Sequence, residues 1–393
     1  MPVSRRSFLV TIGGGSAAFL ANPSFTWRGH EPLLAQGVSA RRADRLLASA
    51  PGMVRLDSNE NPNGPGPRVY QTIQKYLNTS NRYPVKSEDD LAAEIARVHG
   101  IKPENVLLGC GSGELLRSAV NGFTSKERAF VAPEPTFEAP GNWAKFMGVP
   151  VVAPKVDSAL RVDLDAMVDG ARGAGLVYLC NPNNPTATVL GSAAVTAYVN
   201  RVNQISPETT ILIDEAYHEY VDEPSYATAI PMALTNPRVV VTRTFSKVFG
   251  MAGLRLGYAI GLPATLAKIS PWMLGSNVNA LAVVAAQATV GDAAHVERER
   301  KRNRVARAMT QKFFEDAGYT VAKCDANFMM VDIRRDSKAF KMECVKHKVA
   351  IGRPFPTLPN HARISIGTMD EMKKALTVFK TTLATATTNS SGR

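Results

Sequence analysis

The chain has 393 residues, of which 45% are hydrophobic and 20% are charged, as is typical of a soluble globular enzyme. The body of the chain has no run of about 18 uninterrupted apolar residues, so we expect no transmembrane helix and no stable membrane anchor. The formal net charge is +12. Neither zinc-finger spacing nor a basic region followed by heptads accompanies it, so nucleic-acid binding is not expected.

The first thirty residues contain no acidic residue and no lysine. The pair Arg5-Arg6 precedes an apolar, Gly- and Ala-rich stretch that runs to Ala21, which is the pattern of a signal peptide and resembles a twin-arginine (Tat) signal. A poorly ordered extension, or a start codon assigned too early, is the alternative. We therefore expect a Tat signal over residues 1–35, the Tat export machinery as a partner, and a periplasmic or secreted protein, or a cytoplasmic one if the signal is not used.

Four cysteines show neither C-x-x-C pairs nor His/Cys spacing that would hold a metal: Cys110, Cys180, Cys324 and Cys344. We expect small buried apolar side chains and no metal site. One disulfide stays possible.

The middle of the chain repeats a short apolar run, a polar loop and a helical pattern. The runs are Val106–Leu108, Ala129–Ala132, Leu176–Cys180, Ile211–Ile213, Val239–Thr242 and Tyr258–Ile260. Several are rich in Val, Ile and Leu without alternation, as are strands buried on both faces. Strands that alternate with helices predict an α/β domain with a mostly parallel sheet.

The chain changes character after about Asn277. A long helical stretch leads to predicted strands at Asn327–Ile333 and Arg363–Ile366, which indicates a second, smaller α+β domain. Within that stretch, residues 297–307 carry both signs of charge, and Val296, Val305, Met309 and Phe313 recur at roughly helical spacing, as on an amphipathic helix with a solvated face. Residues 39–78 are Pro/Gly-rich in part and are predicted to form an arm or loop.

Polar clusters follow the predicted strands. They are Gly109–Glu114, Asn181–Thr186, Asp214–Tyr217 and Thr244–Lys247. In open α/β sheets, ligands bind beyond the carboxyl ends of the strands, so these clusters are expected to converge on one pocket.

Lys247 comes directly after one strand, beside the hydroxyls of Thr244 and Ser246, and Arg255 follows a short segment later. Taken alone, a lysine is usually a solvated surface residue. In a buried, electropositive setting its pKa falls, and it can then form a Schiff base. The hydroxyls and Arg255 suit the oxygens of a phosphate.

Asp214 ends another strand, where a buried acid is costly unless a cation pairs with it. A protonated ring nitrogen would be such a cation, and Tyr217 could hydrogen-bond a phenolic oxygen on the same ring. The plain alternative is that Asp214 caps a helix.

Two of the loops are weaker signals. The glycines at 109–114 let the backbone approach an anion at a helix start, but they match neither the P-loop nor the dinucleotide-binding spacing. The Asn/Pro-rich loop at 181–186 is a turn sequence, and its Asn184 could also hold a cofactor oxygen.

Taken in order, these clusters resemble the class I/II aminotransferases of pyridoxal-phosphate (PLP) fold type I, and among them most closely the histidinol-phosphate aminotransferases. The shared motifs cover nearly all the chain after the signal. They are Asn59-Glu60-Asn61-Pro62, Asn81-Arg82-Tyr83-Pro84, Gly109–Glu114, Asn181–Thr186, Asp214–Tyr217, Ser246-Lys247, Gly253-Leu254-Arg255, Asn327-Phe328 and Arg363–Thr368.

The resemblance implies roles for the cofactor's neighbours. Lys247 would carry PLP as a Schiff base and shuttle the proton. Asp214 would pair with the pyridine nitrogen, Tyr217 and Asn184 would hold the phenolic oxygen, and Phe137 would stack on the ring.

The resemblance also implies a phosphate site and a substrate site. The phosphate would be held by Gly111, Ser112, Thr244, Ser246 and Arg255, with Tyr83 reaching in from the second subunit of a homodimer. Arg363 would clamp the substrate α-carboxylate, Asn61 and Asn327 would lie near the substrate, and Arg353 could contact a second anion.

The domains that the resemblance implies have approximate boundaries. They are the signal at 1–35, an N-terminal arm and part of the small domain at 36–80, the large PLP-binding domain at 81–277, the C-terminal small domain at 278–386 and a frayed tail at 387–393.

Three residues depart from the family pattern. Ala187 stands where a glycine is usual, Gly113 where an aspartate is common, and Phe137 where a tyrosine is commoner. None of these changes touches Lys247 or Asp214, so cofactor chemistry is expected to be retained while the choice of substrate stays open.

The predicted function is transfer of an amino group from an amino acid or an amino-alcohol phosphate, like histidinol phosphate, to a 2-oxo acid by a ping-pong mechanism. A PLP-dependent decarboxylase, racemase or lyase is the first alternative, and an exported solute-binding protein without catalysis is the distant one. Histidine biosynthesis is cytoplasmic, so an exported relative could act on a different amino compound.

Overall fold

The structure is a computed structural model that describes residues 50–384. The predicted signal peptide and the predicted tail at 387–393 lie outside the described residues. The strands are β1 Val54–Leu56, β2 Val106–Gly109, β3 Phe130–Val131, β4 Val151–Val152, β5 Leu176–Cys180, β6 Thr210–Asp214, β7 Val239–Thr244, β8 Gly257–Ile260, β9 Thr320–Val321, β10 Phe328–Asp332, β11 Val349–Ile351 and β12 His361–Ser365.

The α-helices lie between these strands and cover the sheets. They are α1 Pro67–Tyr76, α2 Val85–His99, α3 Ser112–Phe123, α4 Ala139–Phe146, α5 Leu164–Gly170, α6 Ser192–Ile205, α7 Ile230–Ala233, α8 Pro263–Leu266, α9 Ala280–Gln287, α10 Ala293–Asp316, α11 Ser337–Lys346 and α12 Met369–Ala384. Each of the predicted strands is present, with bounds that differ from the prediction by a residue or two.

The large lobe is built on a seven-stranded sheet in the order β2-β8-β7-β6-β5-β3-β4. Its pairs are parallel except for β8, which runs antiparallel to both β7 and β2. All residues of β5, β6 and β7 are buried, which explains their continuous apolar sequences. The mostly parallel central sheet of the predicted fold class is confirmed.

A smaller lobe contains two short sheets. Strands β9, β10 and β12 form an antiparallel sheet, and β1 pairs in parallel with β11. A separate apolar cluster that includes Leu56, Phe314, Phe328 and Phe379 packs this lobe. The segment just before the large lobe therefore contributes a strand to the lobe formed by the end of the chain.

The described part of the predicted arm, residues 50–78, contains more regular structure than the sequence indicated. Besides β1, it contains the helix α1, which begins at Pro67. Proline is favoured in the first turn of a helix because that turn needs no N–H donor from it. The last proline of the Pro/Gly-rich stretch that indicated a loop is therefore the first residue of a helix. Val69 packs that helix against the core of the large lobe.

The long helix α10 confirms the helical prediction, and the predicted apolar residues Val296, Met309 and Phe313 pack against the apolar clusters. Part of its buried face is nevertheless polar. Val305 is 51% exposed, whereas Glu299 and Arg307 are buried. The Glu299 carboxylate accepts a hydrogen bond from Asn63 Nδ2 at 2.8 Å, and Arg307 donates to Asp222 at 2.9 Å. This face is polar because it binds the polar loops of other elements, which a count of apolar residues cannot show.

All four cysteines are free, and Cys180, Cys324 and Cys344 are buried, as expected. Among residues 50–384, no helix combines the length and the apolar character needed to cross a membrane.

Candidate active site

The polar clusters meet at one edge of the large sheet. Strands β5, β6 and β7 are parallel, and β2 runs in the same direction because both β2 and β7 are antiparallel to β8. Asp214 is the last residue of β6 and Thr244 is the last residue of β7, while the Gly-rich turn and the Asn/Pro-rich loop follow β2 and β5. The carboxyl ends of four strands thus deliver the four predicted clusters to the same region.

Lys247 lies three residues after β7 with its amine enclosed by protein. Its Nζ donates to the backbone oxygen of Asn59 at 3.0 Å and lies 5.4 Å from the centre of the Tyr217 ring. Burial, helped by the positive charge of Arg363, lowers the pKa of Lys247 to about 8. A lysine with such a pKa is neutral in about a tenth of the molecules at pH 7, far more often than an ordinary lysine, as a nucleophile or a base requires.

Asp214 is buried with hydroxyl partners. One carboxylate oxygen accepts from Tyr178 Oη at 2.9 Å and the other from Thr242 Oγ1 at 3.2 Å. Burial raises the pKa of Asp214 to about 6, against the lowering effect of these hydrogen bonds. Within residues 50–384 Asp214 forms no salt bridge, so a protonated pyridine nitrogen would supply the cation that this carboxylate lacks.

The Tyr217 hydroxyl is fixed by two amides. Asn59 Nδ2 and Asn184 Nδ2 each donate to it at 3.3 Å. The Tyr217 ring packs edge-on against Phe328, with 5.0 Å between the ring centres. These contacts hold the hydroxyl at one place beside the lysine, where it can bind a phenolic oxygen.

A small polar cradle lies where the Gly-rich turn meets the segment after β7. Gly111 has φ of +71°, and a Cβ there would lie 2.3 Å from Arg255 Nη2. Ser246 Oγ accepts from Thr244 Oγ1 at 2.8 Å and from Arg255 Nη1 at 3.4 Å. Ser112 begins α3, so its helix start faces the same side. A side chain at residue 111 would crowd the guanidinium of Arg255, so glycine accommodates this arginine in a polar setting that suits a phosphate group.

Arg363 comes from β12 of the small lobe. Its Nη1 donates to Asn184 Oδ1 at 2.8 Å and its Nη2 to the backbone oxygen of Asp57 at 2.7 Å. Its buried Nε has no hydrogen-bond partner among the described residues. Burial lowers the pKa of Arg363, and the nearby Arg353 adds to the effect. A cation held in this way suits the carboxylate of a substrate.

The remaining predicted residues have different surroundings. Asn327 Nδ2 donates to the backbone oxygens of Asn59 and Glu60, next to Lys247. Asn61 instead bonds the backbone, donating to Val248 O at 2.9 Å and accepting from Asn63 N at 3.0 Å.

Phe137, Tyr83 and Arg353 lie around the periphery. Phe137 packs against the apolar cluster beneath α3. Tyr83 is 81% exposed, so a single chain leaves it uncovered. Arg353 forms a salt bridge with Glu138.

Several residues of the site were not singled out from the sequence. Asn59 binds both Lys247 and Tyr217, while Tyr178 and Thr242 bind Asp214. Thr242 could have been found, because it pairs with Asp214 in the register of β6 and β7. Asn59 lies far away in the sequence, in a motif from which Asn61 was chosen instead.

A buried ion pair supports the same strand ends from below. Glu215 accepts two hydrogen bonds from Arg243, at 2.8 Å and 3.0 Å, and both side chains are buried. These residues directly follow Asp214 and precede Thr244. Both bonds end on the same carboxylate oxygen, Glu215 Oε2, and hold the two strand ends together.

The departure at Ala187 has a visible structural consequence. Ala187 is fully buried and has φ of +63°, the left-handed region that favours glycine. The loop nevertheless keeps Asn184 on Tyr217 and Arg363. The substitution therefore leaves the contacts of the site in place.

Residues 51–379 match the family described as aminotransferase class I and II. The chain belongs to this family. It is 34% identical to the histidinol-phosphate aminotransferase of Symbiobacterium thermophilum over 84% of this chain and 91% of the relative. It is 32% identical to histidinol-phosphate aminotransferase 1 of Nitrosococcus oceani, over 84% and 89%.

A solved structure shares the fold. The histidinol-phosphate aminotransferase of Sinorhizobium meliloti, in complex with pyridoxal 5'-phosphate, superposes with a TM-score of 0.82 at 24% identity, covering 93% of this chain and 100% of that one. Together with the family match, the partly buried lysine, the buried aspartate and the polar cradle fit a PLP-dependent aminotransferase of fold type I, and the chain is one.

Asp214→Asn tests the electrostatics of the site in protein freed of PLP. The folded-state pKa of about 6 is above the ordinary value of 3.8, so this carboxyl favours folding below about pH 3.8 and loses that contribution as the pH rises through about 6. The amide carries no charge, so the variant is expected to be more stable than the parent at pH 7.5 by roughly 2 to 3 kcal/mol, at about 1.36 kcal/mol per pKa unit. The gain should shrink at pH 5.

Thermal unfolding at both pH values measures this difference. The same variant should bind PLP more weakly, since it cannot neutralise a protonated ring nitrogen. An Asp214→Asn protein that is less stable than the parent at pH 7.5 would show that the buried carboxylate does not lower the free energy of unfolding.

Proposed function

We propose that this protein transfers the amino group of an amino acid, or of an amino-alcohol phosphate of the histidinol-phosphate type, to a 2-oxo acid. The observation that carries the proposal is the enclosure of Lys247, Asp214 and Arg363 around one site. These residues supply a base, a partner for a cationic ring and a clamp for a carboxylate. The similarity to histidinol-phosphate aminotransferases supports the same substrate class.

PLP, when bound, supplies a ring that withdraws the electrons of the broken Cα–H bond. The chain's own residues do the rest. Asp214 would pair with the ring nitrogen, and Tyr217 with Asn184 would hold the phenolic oxygen. Lys247 Nζ would act as the base that moves the proton at the substrate carbon. The cradle of Ser246 and Arg255 would hold the phosphate.

Arg363 favours amino transfer over loss of the carboxylate. Its guanidinium is fixed by Asn184 and by the backbone of Asp57, so a carboxylate bound to it would be held in one direction. PLP enzymes select the bond to be broken by its orientation to the ring. A clamped carboxylate leaves the Cα–H bond as the one to be broken.

Lys247→Ala tests the assignment of the lysine. Holoprotein reduced with borohydride should carry PLP as a stable adduct on Lys247, located by peptide mass spectrometry. The variant should lose this adduct, the visible absorption band and amino transfer to a 2-oxo acid, with a rate reduced by at least about a thousandfold. Lys102→Ala, which removes an exposed lysine, is the matched control.

The assignment fails if the Lys247→Ala protein retains the absorption band and the transfer rate. A band that persists with release of carbon dioxide instead of a 2-oxo acid would keep the cofactor site but replace amino transfer by decarboxylation.

We propose further that the protein is a homodimer in which Tyr83 reaches the site of the partner subunit. In support, large apolar side chains on and beside α1 and α2 are exposed in the single chain. They are Tyr70, Tyr76, Leu77, Tyr83 and Val85.

Light scattering of the purified protein should give the mass of two chains. Leu77→Glu combined with Val85→Glu should give that of one, because each introduces a charge into the proposed contact. Met342→Glu, an equally exposed apolar position on α11, should leave the dimer intact. A parent protein with the mass of one chain contradicts the proposal.

The last proposal concerns location. We propose that residues 1–35 direct the folded protein through the Tat pathway to the periplasm or the medium, on the basis of the Arg5-Arg6 pair and the apolar stretch after it. Fractionation of cells that express the full chain tests this.

Replacement of both Arg5 and Arg6 by lysine should retain the protein in the cytoplasm. The same change at Arg41 and Arg42, a second arginine pair outside the predicted signal, should not. Equal export of both variants would exclude a Tat signal at this position.

A further inference from the structure

A salt bridge between the two lobes lies beside the substrate clamp. Arg353 follows β11 in the small lobe, and Glu138 precedes α4 in the large lobe. Arg353 Nη2 lies 2.5 Å from Glu138 Oε2, and each side chain is about one third exposed, at 32% and 33%. Both groups can therefore meet a ligand, and each already has the other as a partner.

The pair shares its surroundings with Arg363. The Arg353 guanidinium lies 4.3 Å from the centre of the Phe355 ring, and the Arg363 guanidinium lies 5.6 Å from the same centre. The two cations thus pack against one aromatic side chain. Glu138 is close enough to oppose the effect of Arg353 on the pKa of Arg363.

The charges of these three residues sum to +1, because Glu138 neutralises one of the two arginines. That balance matches a single negative charge on the substrate. A phosphate ester carries about −1.5 to −2 charges at pH 7. A phosphate bound at Arg363 would bring more negative charge than this balance offsets, and the second carboxylate of a dicarboxylic acid would have to displace Glu138 from Arg353. Either group would lie close to the negative charge of Glu138.

The geometry points to Glu138 as a specificity-determining residue that disfavours both a doubly charged phosphate at Arg363 and a second carboxylate beside it. The substrate is then an amino acid whose α-carboxylate binds Arg363 and whose side chain is uncharged, rather than a phosphate ester or a dicarboxylic amino acid. This inference rests on the proposed aminotransferase function and narrows its substrate class. Phe137, directly before Glu138, and the buried Phe355 give such a side chain apolar neighbours.

Equilibrium binding tests the inference without turnover. The PLP-loaded protein is titrated calorimetrically with glutarate, a dicarboxylate, and with hydrocinnamate, a monocarboxylate with an aromatic group. The parent should bind hydrocinnamate more tightly. Glu138→Gln keeps the shape of the side chain and removes its charge, so the ratio of the two Kd values should shift towards glutarate by at least about tenfold.

Kinetics provide the second readout. The ratio of kcat/KM for L-histidinol phosphate to that for L-phenylalanine should rise by a similar factor in the Glu138→Gln protein. Glu104→Gln, the same change at an exposed carboxylate, is the matched control and should move neither ratio. Glu138→Ala makes the same change in charge and replaces Glu138→Gln if the latter folds poorly.

The outcomes separate this inference from the proposed function. A parent that prefers histidinol phosphate or glutarate, or a Kd ratio that shifts by less than about threefold in both Glu138 variants, overturns the inference. Failure to turn over any amino compound, with the Kd ratio shifted as expected, would instead overturn the aminotransferase function and leave the role of Glu138 intact.

Discussion

The site depends on one buried asparagine. Asn59 is 1% exposed and has φ of +54°, and its groups bond in several directions. Its backbone N–H and side-chain oxygen pair with the Ser365 hydroxyl, its amide nitrogen donates to Tyr217, and its backbone oxygen accepts from Lys247 and Asn327. Asn59 therefore ties the small lobe, through β12, to the lysine at the end of β7.

Exclusion of water by the segment around Asn59 explains the shifted pKa values of Lys247 and Asp214. Removing water destabilises the charged forms of both Lys247 and Asp214, so burial lowers the pKa of the amine to about 8 and raises that of the carboxyl to about 6. Burial is the largest effect on each group, and both shifts come from the same packing. The protein thus bears a cost in the free energy of folding that a cationic ring and a carbonyl carbon would relieve.

The sequence was enough to predict those site residues whose position depends only on the strand that they follow. Lys247, Asp214 and Tyr217 were found because each follows a buried strand, and parallel strands place such residues at one edge. It did not predict contacts between residues that are far apart in the sequence. Nothing near Glu138 indicates Arg353, and the three asparagines that surround Tyr217 and Lys247 come from three separate loops. The polar buried face of α10 was missed for the same reason, since its partner Asp222 lies in another element.

The pairing of β1 with β11 also fixes an order of events during synthesis. Residues 54–56 leave the ribosome early, but their partner strand at 349–351 is made only near the end of the chain. Strand pairing over such a separation is slow, because the intervening chain must be ordered first. Asn59 lies three residues beyond β1, so the carbonyl that receives the lysine amine takes its place only after nearly all of the chain exists. The residues at the edge of the large sheet can be placed before this, but the complete site also needs Asn59 and Arg363 and therefore forms only after the small lobe has assembled.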